Sequence, residues 1–253
     1  MTFNDINRHN RDGLISFDPS QHIYSFGDEV LESVTTVVEN MFAKFDAYGA
    51  AMRKCGNDEV RDRALMDEWE AKGRQARDLG TLMHDRIERH YLGEELEPEA
   101  LSDPTFAHFL NFAAEHKLKP YRSEWRIFSE RFKIAGTLDF LSVTPGGEFE
   151  IYDWKRSTKV VDVFGRPIDN SYRRTAAYPL GGLADTTYNH YALQVSIYRY
   201  ILAEHYGINV SRAYLGVFHP EMPEHYCVEL PYLRDEVDKL LNHRLRCLCL
   251  NNS

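Results

Sequence analysis

The chain of 253 residues has no long hydrophobic run and no sign of an export signal. No stretch of about 18 or more apolar residues occurs, which argues against a membrane-spanning helix. The first residues, Met1 to Asp12, are polar and lack the apolar centre of a secretory signal. We therefore expect a cytoplasmic protein that has no membrane partner.

Cysteine is also scarce. The four cysteines are Cys55, Cys227, Cys247 and Cys249. In a chain without an export signal, reduced thiols are the default expectation.

An excess of positive charge is missing as well, because the formal net charge is −9. This balance argues against a protein that coats nucleic acid through electrostatics alone. It does not exclude an enzyme that acts on nucleic acid, which needs only a local basic track. Two such tracks occur, although a solvated helix face or loop explains each equally well: Arg53, Lys54, Arg61, Arg63, Lys72, Arg74 and Arg77; and Lys155, Arg156, Lys159, Arg166, Arg173 and Arg174.

What the chain does contain is enough apolar residues, 43%, for one sizeable core. We expect a single domain over 1–253, with a hairpin and helical part in 1–120, a core in 121–220, and a terminal strand and helix in 221–253. Helices alternate with a block of three strands, which predicts an α/β fold with a central mixed sheet flanked by helices. The predicted elements are a hairpin in 14–30, helices in 37–93 with a break at Gly56-Asn57, a helix in 105–116, strands in 121–129, 132–143 and 148–154, a helix in 191–206, a strand in 213–218 and a helix in 233–250.

The most informative motifs are Gly136-Thr137-Leu138-Asp139 and Ile151-Tyr152-Asp153-Trp154-Lys155. In each, a carboxylate follows a short apolar run that is typical of a strand. Alternation along the second strand places Asp153 and Lys155 on one face and Trp154 on the other. Two carboxylates and an ammonium at a sheet edge suit a hard divalent cation beside a phosphate. A charged strand end with a local ion pair is the simpler alternative.

Other candidates are weak when taken singly. His84 and Glu88 are four apart on a predicted helix and share a face, where both could bind a metal. Glu124 lies in an amphipathic strand, and Gln194 and Tyr198 are four apart on a later helix. A hydrogen-bonded histidine, an outward-facing strand residue and a polar helix face would explain them equally well.

The order of these motifs along the chain is more specific than any one of them. From His84 through Glu124, Asp139 and Asp153-Trp154-Lys155 to the Gln194 helix, it resembles the RecB-like exonuclease branch of the PD-(D/E)XK nuclease superfamily. It is similar in particular to phage-encoded nucleases and to the mitochondrial genome-maintenance exonuclease. The two acids are 153 − 139 = 14 residues apart, as a hairpin between core strands requires. The resemblance covers about residues 33–206.

The resemblance implies a restriction-endonuclease-like core and a metal-dependent deoxyribonuclease, with exonuclease action in DNA replication, recombination or repair in a bacterial or phage-infected cell. His84, Asp139, Asp153 and the backbone carbonyl of Trp154 would bind Mg²⁺ or Mn²⁺. Lys155 would hold the scissile phosphate and the attacking water.

The same resemblance assigns supporting roles. Glu124 would add a carboxylate at or near the metal. Gln194, Tyr198 and Arg156 would position the lysine or contact DNA that is single-stranded or has free ends. Apart from the resemblance, Glu88 lies one turn from His84 and could serve a second metal. Tyrosines in and beside the long connection over 156–189 could stack on bases, although such residues are as often packing residues: Tyr172, Tyr178, Tyr188 and Tyr191.

Some members of this branch hold an iron–sulfur cluster with one cysteine before the histidine helix and three after the glutamine helix. The chain has that one-plus-three order, but its spacing departs from the pattern. Cys227 precedes Cys247 by 247 − 227 = 20 residues, and Cys247 and Cys249 are separated by one residue. We therefore expect ordinary thiols and no cluster.

Two other functions remain open. One is a nucleic-acid-binding module of the same fold without turnover, for which binding without hydrolysis would be diagnostic. The other is a metal-dependent phosphoesterase, which would cleave a small ester and leave polynucleotides intact.

Overall fold

The computed structural model of the protein describes residues 1–56, 58–169 and 172–251. The predicted helix break at Gly56-Asn57 lies partly outside them. Gly56 has φ +70° and ends a helix, whereas Asn57 is not among the described residues.

The described strands form one mixed sheet of eight strands in the order β1-β2-β3-β5-β6-β7-β8, with β4 paired to β5. Strands β3 and β5 are parallel, as are β6 and β7, and the other neighbours are antiparallel. The strands are β1 (Ile15–Asp18), β2 (Ile23–Phe26), β3 (Glu29–Ser33), β4 (Pro120–Ser129), β5 (Ile134–Val143), β6 (Phe149–Lys155), β7 (Val210–Val217) and β8 (Tyr226–Glu229).

Helices cover both faces of this sheet, so the predicted α/β fold with a central mixed sheet is confirmed. The described part of the chain contains no helix both long and apolar enough to cross a membrane. The helices are α1 (Phe3–Ile6), α2 (Val34–Glu39), α3 (Ala47–Cys55), α4 (Glu59–Leu92), α5 (Pro98–Ser102), α6 (Pro104–His116), α7 (Thr187–Tyr206) and α8 (Arg234–Asn251).

Two local predictions were wrong. The N-terminal hairpin is a three-stranded unit, because β3 follows β2 after a tight turn and then pairs with β5 through Glu32 and Ile134. Only Leu31 of this strand is deeply buried, so its pattern gives little signal. No element was predicted between the helices of 37–93 and 105–116, but this segment contains α5, which has a proline in its first turn.

The core has two parts, one on each face of the sheet. Helices α2, α7 and α8 cover one face over a large aliphatic core. Helices α4, α5 and α6 cover the other over a mainly aromatic cluster. We call this second part the aromatic cluster; it comprises Met83, Ile87, Ala100, Phe106, Phe109, Phe112, Phe140, Tyr152, Trp154 and Phe218.

The sheet divides at β5, and this fork defines the site. One edge of β5 follows β4 from Ile134 to Ser142. The other edge pairs with β3 at Ile134 and Ala135, and with β6 only from Phe140 onward. Residues 136–138 therefore have a partner on the β4 side alone among the described strands, and Asp139 follows them at the opening. Since β6 pairs with β7 through Lys155, its end separates from β5 and leaves an opening.

Candidate metal centre

The backbone of Trp154 lies at the opening of the fork and contacts residues on both sides of it. Its N–H, which has no strand partner on the β5 side, donates to Asp139 Oδ2 at 2.8 Å. Its carbonyl oxygen lies 3.0 Å from His84 Nε2. The backbone N–H and the carbonyl of this one residue thus both point into the gap. The indole ring lies in the aromatic cluster, as alternation along β6 predicts.

A tight ion pair occupies the inner wall of the opening. Lys155 Nζ is 2.5 Å from Asp153 Oδ2 and 3.9 Å from Asp139 Oδ2, and Asp153 is only 1% exposed. Burial raises the pKa of Asp153, although Lys155 opposes the change. Burial lowers the pKa of Lys155, but Asp153 and Asp139 outweigh it and the net pKa is raised. Lys155 is therefore fixed as an ammonium, and its Nζ lies 4.7 Å from the centre of the Tyr191 ring.

A histidine and two carboxylates form the outer wall. His84 Nδ1 is 3.5 Å from Glu124 Oε1 and 3.7 Å from Asp139 Oδ1. One ligand atom of each residue lies within 4.8 Å of the other two. Burial lowers the pKa of His84, but Asp139 and Glu124 outweigh this effect and raise it to about 9. Without a cation, the two acids thus hold a proton on the imidazole.

Glu124 reaches this group through an unusual backbone conformation. It lies within β4, between Ser123 paired with Phe140 and Trp125 paired with Leu138, yet its φ is +41°. A non-glycine residue in the left-handed region costs on the order of 1–3 kcal/mol, and such strain concentrates at functional sites. The strain bends the strand where the carboxylate faces His84.

Helix α7 forms the wall of the opening on the side opposite His84. The residues that it contributes to this wall are not part of a polar helix face. Tyr198 is only 2% exposed, and apolar residues surround most of α7, so the alternative of a polar helix face does not hold for Tyr198. Gln194 Nε2 donates to the Tyr198 hydroxyl at 3.2 Å. The Tyr198 ring lies against Gly136, where an added Cβ would come within 2.7 Å of the ring. Gly136 thus allows the close contact between α7 and β5.

These residues surround a cleft of about 590 Å³. Sequence reasoning missed part of its wall, namely Tyr24, whose hydroxyl lies 2.9 Å from Thr137 Oγ1. It also treated Tyr191 only as a base-stacking candidate, although the i, i+3 spacing to Gln194 places both on one side of α7. The lining residues are Phe17, Pro19, His22, Tyr24, Ser33, Thr35, Arg77, Gly80, Thr81, His84, Glu124, Gly136, Thr137, Asp139, Gln194 and Tyr198.

Two predicted residues are directed elsewhere. Arg156 Nε donates to Thr105 Oγ1 at 3.3 Å, which turns its guanidinium toward the start of α6. Glu88 accepts a hydrogen bond from Ser123 Oγ at 3.0 Å and is not among the ligand groups found in the described residues. A second cation held by Glu88 therefore has no support in this arrangement.

The cysteines have separate surroundings. Cys227 packs against the aromatic cluster, and burial raises the pKa of its thiol to about 12. Cys247 Sγ is 3.7 Å from His243 Nε2 on α8. Among the described residues, no group of three metal-ligating side chains includes a cysteine.

The donors at the fork fit a hard divalent cation. Glu124, Asp139 and Asp153 supply carboxylate oxygens, Trp154 a carbonyl, and His84 an imidazole nitrogen. Mg²⁺ and Mn²⁺ prefer such oxygen-rich sets. Glu124 and Asp139 face His84 Nδ1, whereas the Trp154 oxygen faces Nε2, so one cation shares His84 with the carboxylates or with the carbonyl, and with both only if the ring turns. We call this group the fork site.

Comparisons with known proteins add little to this description. No family model matches the chain, and no curated protein matches it. Among solved structures, the crystal structure of SSO0001 matches with 15% identity and a TM-score of 0.35, over 85% of this chain and 75% of that one.

Proposed function

We propose that the protein is a metal-dependent nuclease that hydrolyses phosphodiester bonds in DNA, with Mg²⁺ or Mn²⁺ at the fork site. The observation that carries the proposal is the convergence of Asp139, Asp153 and Lys155 where β5 and β6 separate. The order of motifs that resembles the PD-(D/E)XK nucleases supports it. Exonuclease action in replication, recombination or repair belongs to the same proposal.

The residues would divide the work as follows. His84, Asp139, Asp153 and the Trp154 carbonyl would bind the cation, with Glu124 beside them. A cation so held lowers the pKa of a bound water and offsets negative charge on the phosphate. Lys155 would hold the phosphate and the attacking water in place.

The positions of Lys155 and Tyr191 suit this role. The Lys155 ammonium is fixed by two carboxylates and an aromatic ring, so it needs little reorganisation as charge develops on the phosphate. Gln194 and Tyr198 would keep α7 against the strands and act as positioning residues. Arg77 lines the cleft and supplies a positive charge in its wall.

The test uses the full chain, freed of metal with EDTA and then given Mg²⁺ or Mn²⁺. Labelled single- and double-stranded DNA report cleavage, and end-labelled against internally labelled strands separate exonuclease from endonuclease action. Asp153→Asn and Asp139→Asn should each reduce the rate by on the order of 100-fold or more. Asp238→Asn is the matched control, since this carboxylate is exposed on α8 and lies outside the cleft lining and both basic tracks.

Each contrary outcome is informative. Unchanged cleavage by folded Asp153→Asn protein would exclude the fork site as the catalytic centre. Binding of DNA without hydrolysis under any divalent metal would favour a module that has no turnover. Cleavage of bis-p-nitrophenyl phosphate with no effect on DNA would favour a phosphoesterase for another substrate.

A further inference from the structure

A second group of metal-ligating side chains lies where α6 ends. Glu115 and His116 are the last two residues of α6, and His225 directly precedes β8. One ligand atom of each residue lies within 4.8 Å of the other two. His225 Nε2 is already 3.2 Å from Glu115 Oε2. None of these residues belongs to the fork site.

Packing fixes both imidazoles. The His116 ring lies on Phe112 with centroids 4.3 Å apart, and the His225 ring meets the same phenyl edge-on at 5.9 Å. Lys117 has φ +47° and ends the helix directly after His116. The C-terminus of a helix carries partial negative charge, which favours a cation there.

We propose that Glu115, His116 and His225 bind a zinc ion, with water as the fourth ligand. Two imidazoles and one carboxylate are a donor set that zinc uses in proteins. Zinc–ligand distances of about 2.0–2.1 Å imply about 3.4 Å between tetrahedral ligands. The Glu115–His225 pair, at 3.2 Å, meets this spacing, and the other pairs lie within 4.8 Å, so they would have to close by at most about 1.4 Å.

The donor types separate this site from the fork site. The fork site has three carboxylates, a carbonyl and one imidazole, which favours Mg²⁺ or Mn²⁺. In the group formed by Glu115, His116 and His225, two of the three protein donors are nitrogens, which favours zinc over those cations. The Cys227 thiol, two residues beyond His225, lies outside the ligand group found among the described residues.

Zinc at this position would join the end of α6 to the start of β8. Among the described strands, β8 pairs with β7 alone, so it is an edge strand of the sheet. A metal bound by both α6 and the start of β8 would anchor this edge to the helix layer. Because Phe112 also lies 5.6 Å from the Trp154 ring, the anchor would brace the aromatic cluster behind the fork.

The test is zinc binding by the full-length protein after metal removal. Stoichiometry and affinity come from competition with a chromophoric chelator, and Co²⁺ substitution reports four-coordinate geometry through its visible absorption. His116→Gln and His225→Gln should each lose one equivalent or bind at least on the order of 100-fold more weakly, since outer partners of metal ligands alone contribute 10–100-fold. Asp139→Asn and Cys227→Ser should retain that equivalent.

Thermal unfolding gives a second readout. Zinc should raise the melting temperature of the wild type and of Asp139→Asn but not of His225→Gln. If a histidine variant fails to fold, Glu115→Gln replaces it, because that side chain is 67% exposed. Equal zinc binding by the wild type and by Glu115→Gln and His225→Gln would overturn the proposal and leave only a histidine–glutamate ion pair. Loss of all zinc in Asp139→Asn would also overturn it and would assign the metal to the fork site.

Discussion

Replacing Lys155 with alanine should destabilise the metal-free protein strongly. The ammonium lies 2.5 Å from Asp153 Oδ2, and Asp153 is 1% exposed, so water cannot take over its role. Removing one partner of such a buried pair costs about 3–5 kcal/mol, because the other charge remains buried without compensation. A domain is stable by only about 5–15 kcal/mol in total, so the loss would be a large fraction.

The loss should depend on pH. Burial already raises the pKa of Asp153, and Lys155 is the largest influence that opposes this. Without the lysine, the carboxyl of the folded state will take up a proton more readily than that of the unfolded chain. A folded-state pKa above the unfolded value means that stability falls as pH rises. The cost of Lys155→Ala should therefore be greater at pH 8 than at pH 5.

Urea unfolding in EDTA, followed by tryptophan fluorescence, measures the effect. Lys72→Ala serves as the control, since that exposed pair should contribute no more than about 1 kcal/mol. Mn²⁺ should restore more stability to Lys155→Ala than to the wild type, because the cation would offset the same carboxylates. If Lys155→Ala cost no more than Lys72→Ala at both pH values, the account of Asp153 as a buried, compensated charge would be refuted.

Two further predictions concern neighbouring parts of the site. Gly136→Ala should lower the free energy of unfolding in urea by about 1–3 kcal/mol, because the added Cβ would come within 2.7 Å of the Tyr198 ring. The control Gly80→Ala, in open space on α4, should leave the free energy of unfolding unchanged or raise it by up to about 1 kcal/mol. Equal effects of the two substitutions would contradict the close contact. The contribution of His84 to stability in EDTA is the difference in free energy of unfolding between the wild type and His84→Gln. This difference should be fully present below pH 6.5 and lost as pH rises through about 9, since the folded-state pKa of His84 lies above its ordinary value. A difference that stays constant over this range would show that the pKa of His84 is not raised.

The sequence was sufficient for features that depend on local periodicity. A period of two along β6 predicts that Asp153 and Lys155 share a face and that Trp154 occupies the other. The helix predicted over 105–116 is likewise present as α6 (Pro104–His116). The alternation of helical and strand segments likewise predicts the α/β class.

Features that depend on distant pairing could not be predicted in this way. The fork exists because β3 and β6 pair with different parts of β5, and no local pattern encodes that register. The burial of Tyr198 follows from the contact with Gly136, 198 − 136 = 62 residues away. The positive φ of Glu124 is imposed on a strand-like sequence by the same tertiary arrangement.

The parallel pairing of β6 with β7 has a consequence for synthesis of the chain. Asp153 faces Leu215 in that ladder, and α7 crosses the sheet between them. Contacts this far apart form late, because a long loop must close before they bring any gain. A chain still emerging from the ribosome already carries both acids and the lysine, but it lacks the strand that draws β6 away from β5. The fork can thus take shape only after β7 has left the ribosome, so the proposed metal centre would form only when the fold is nearly complete.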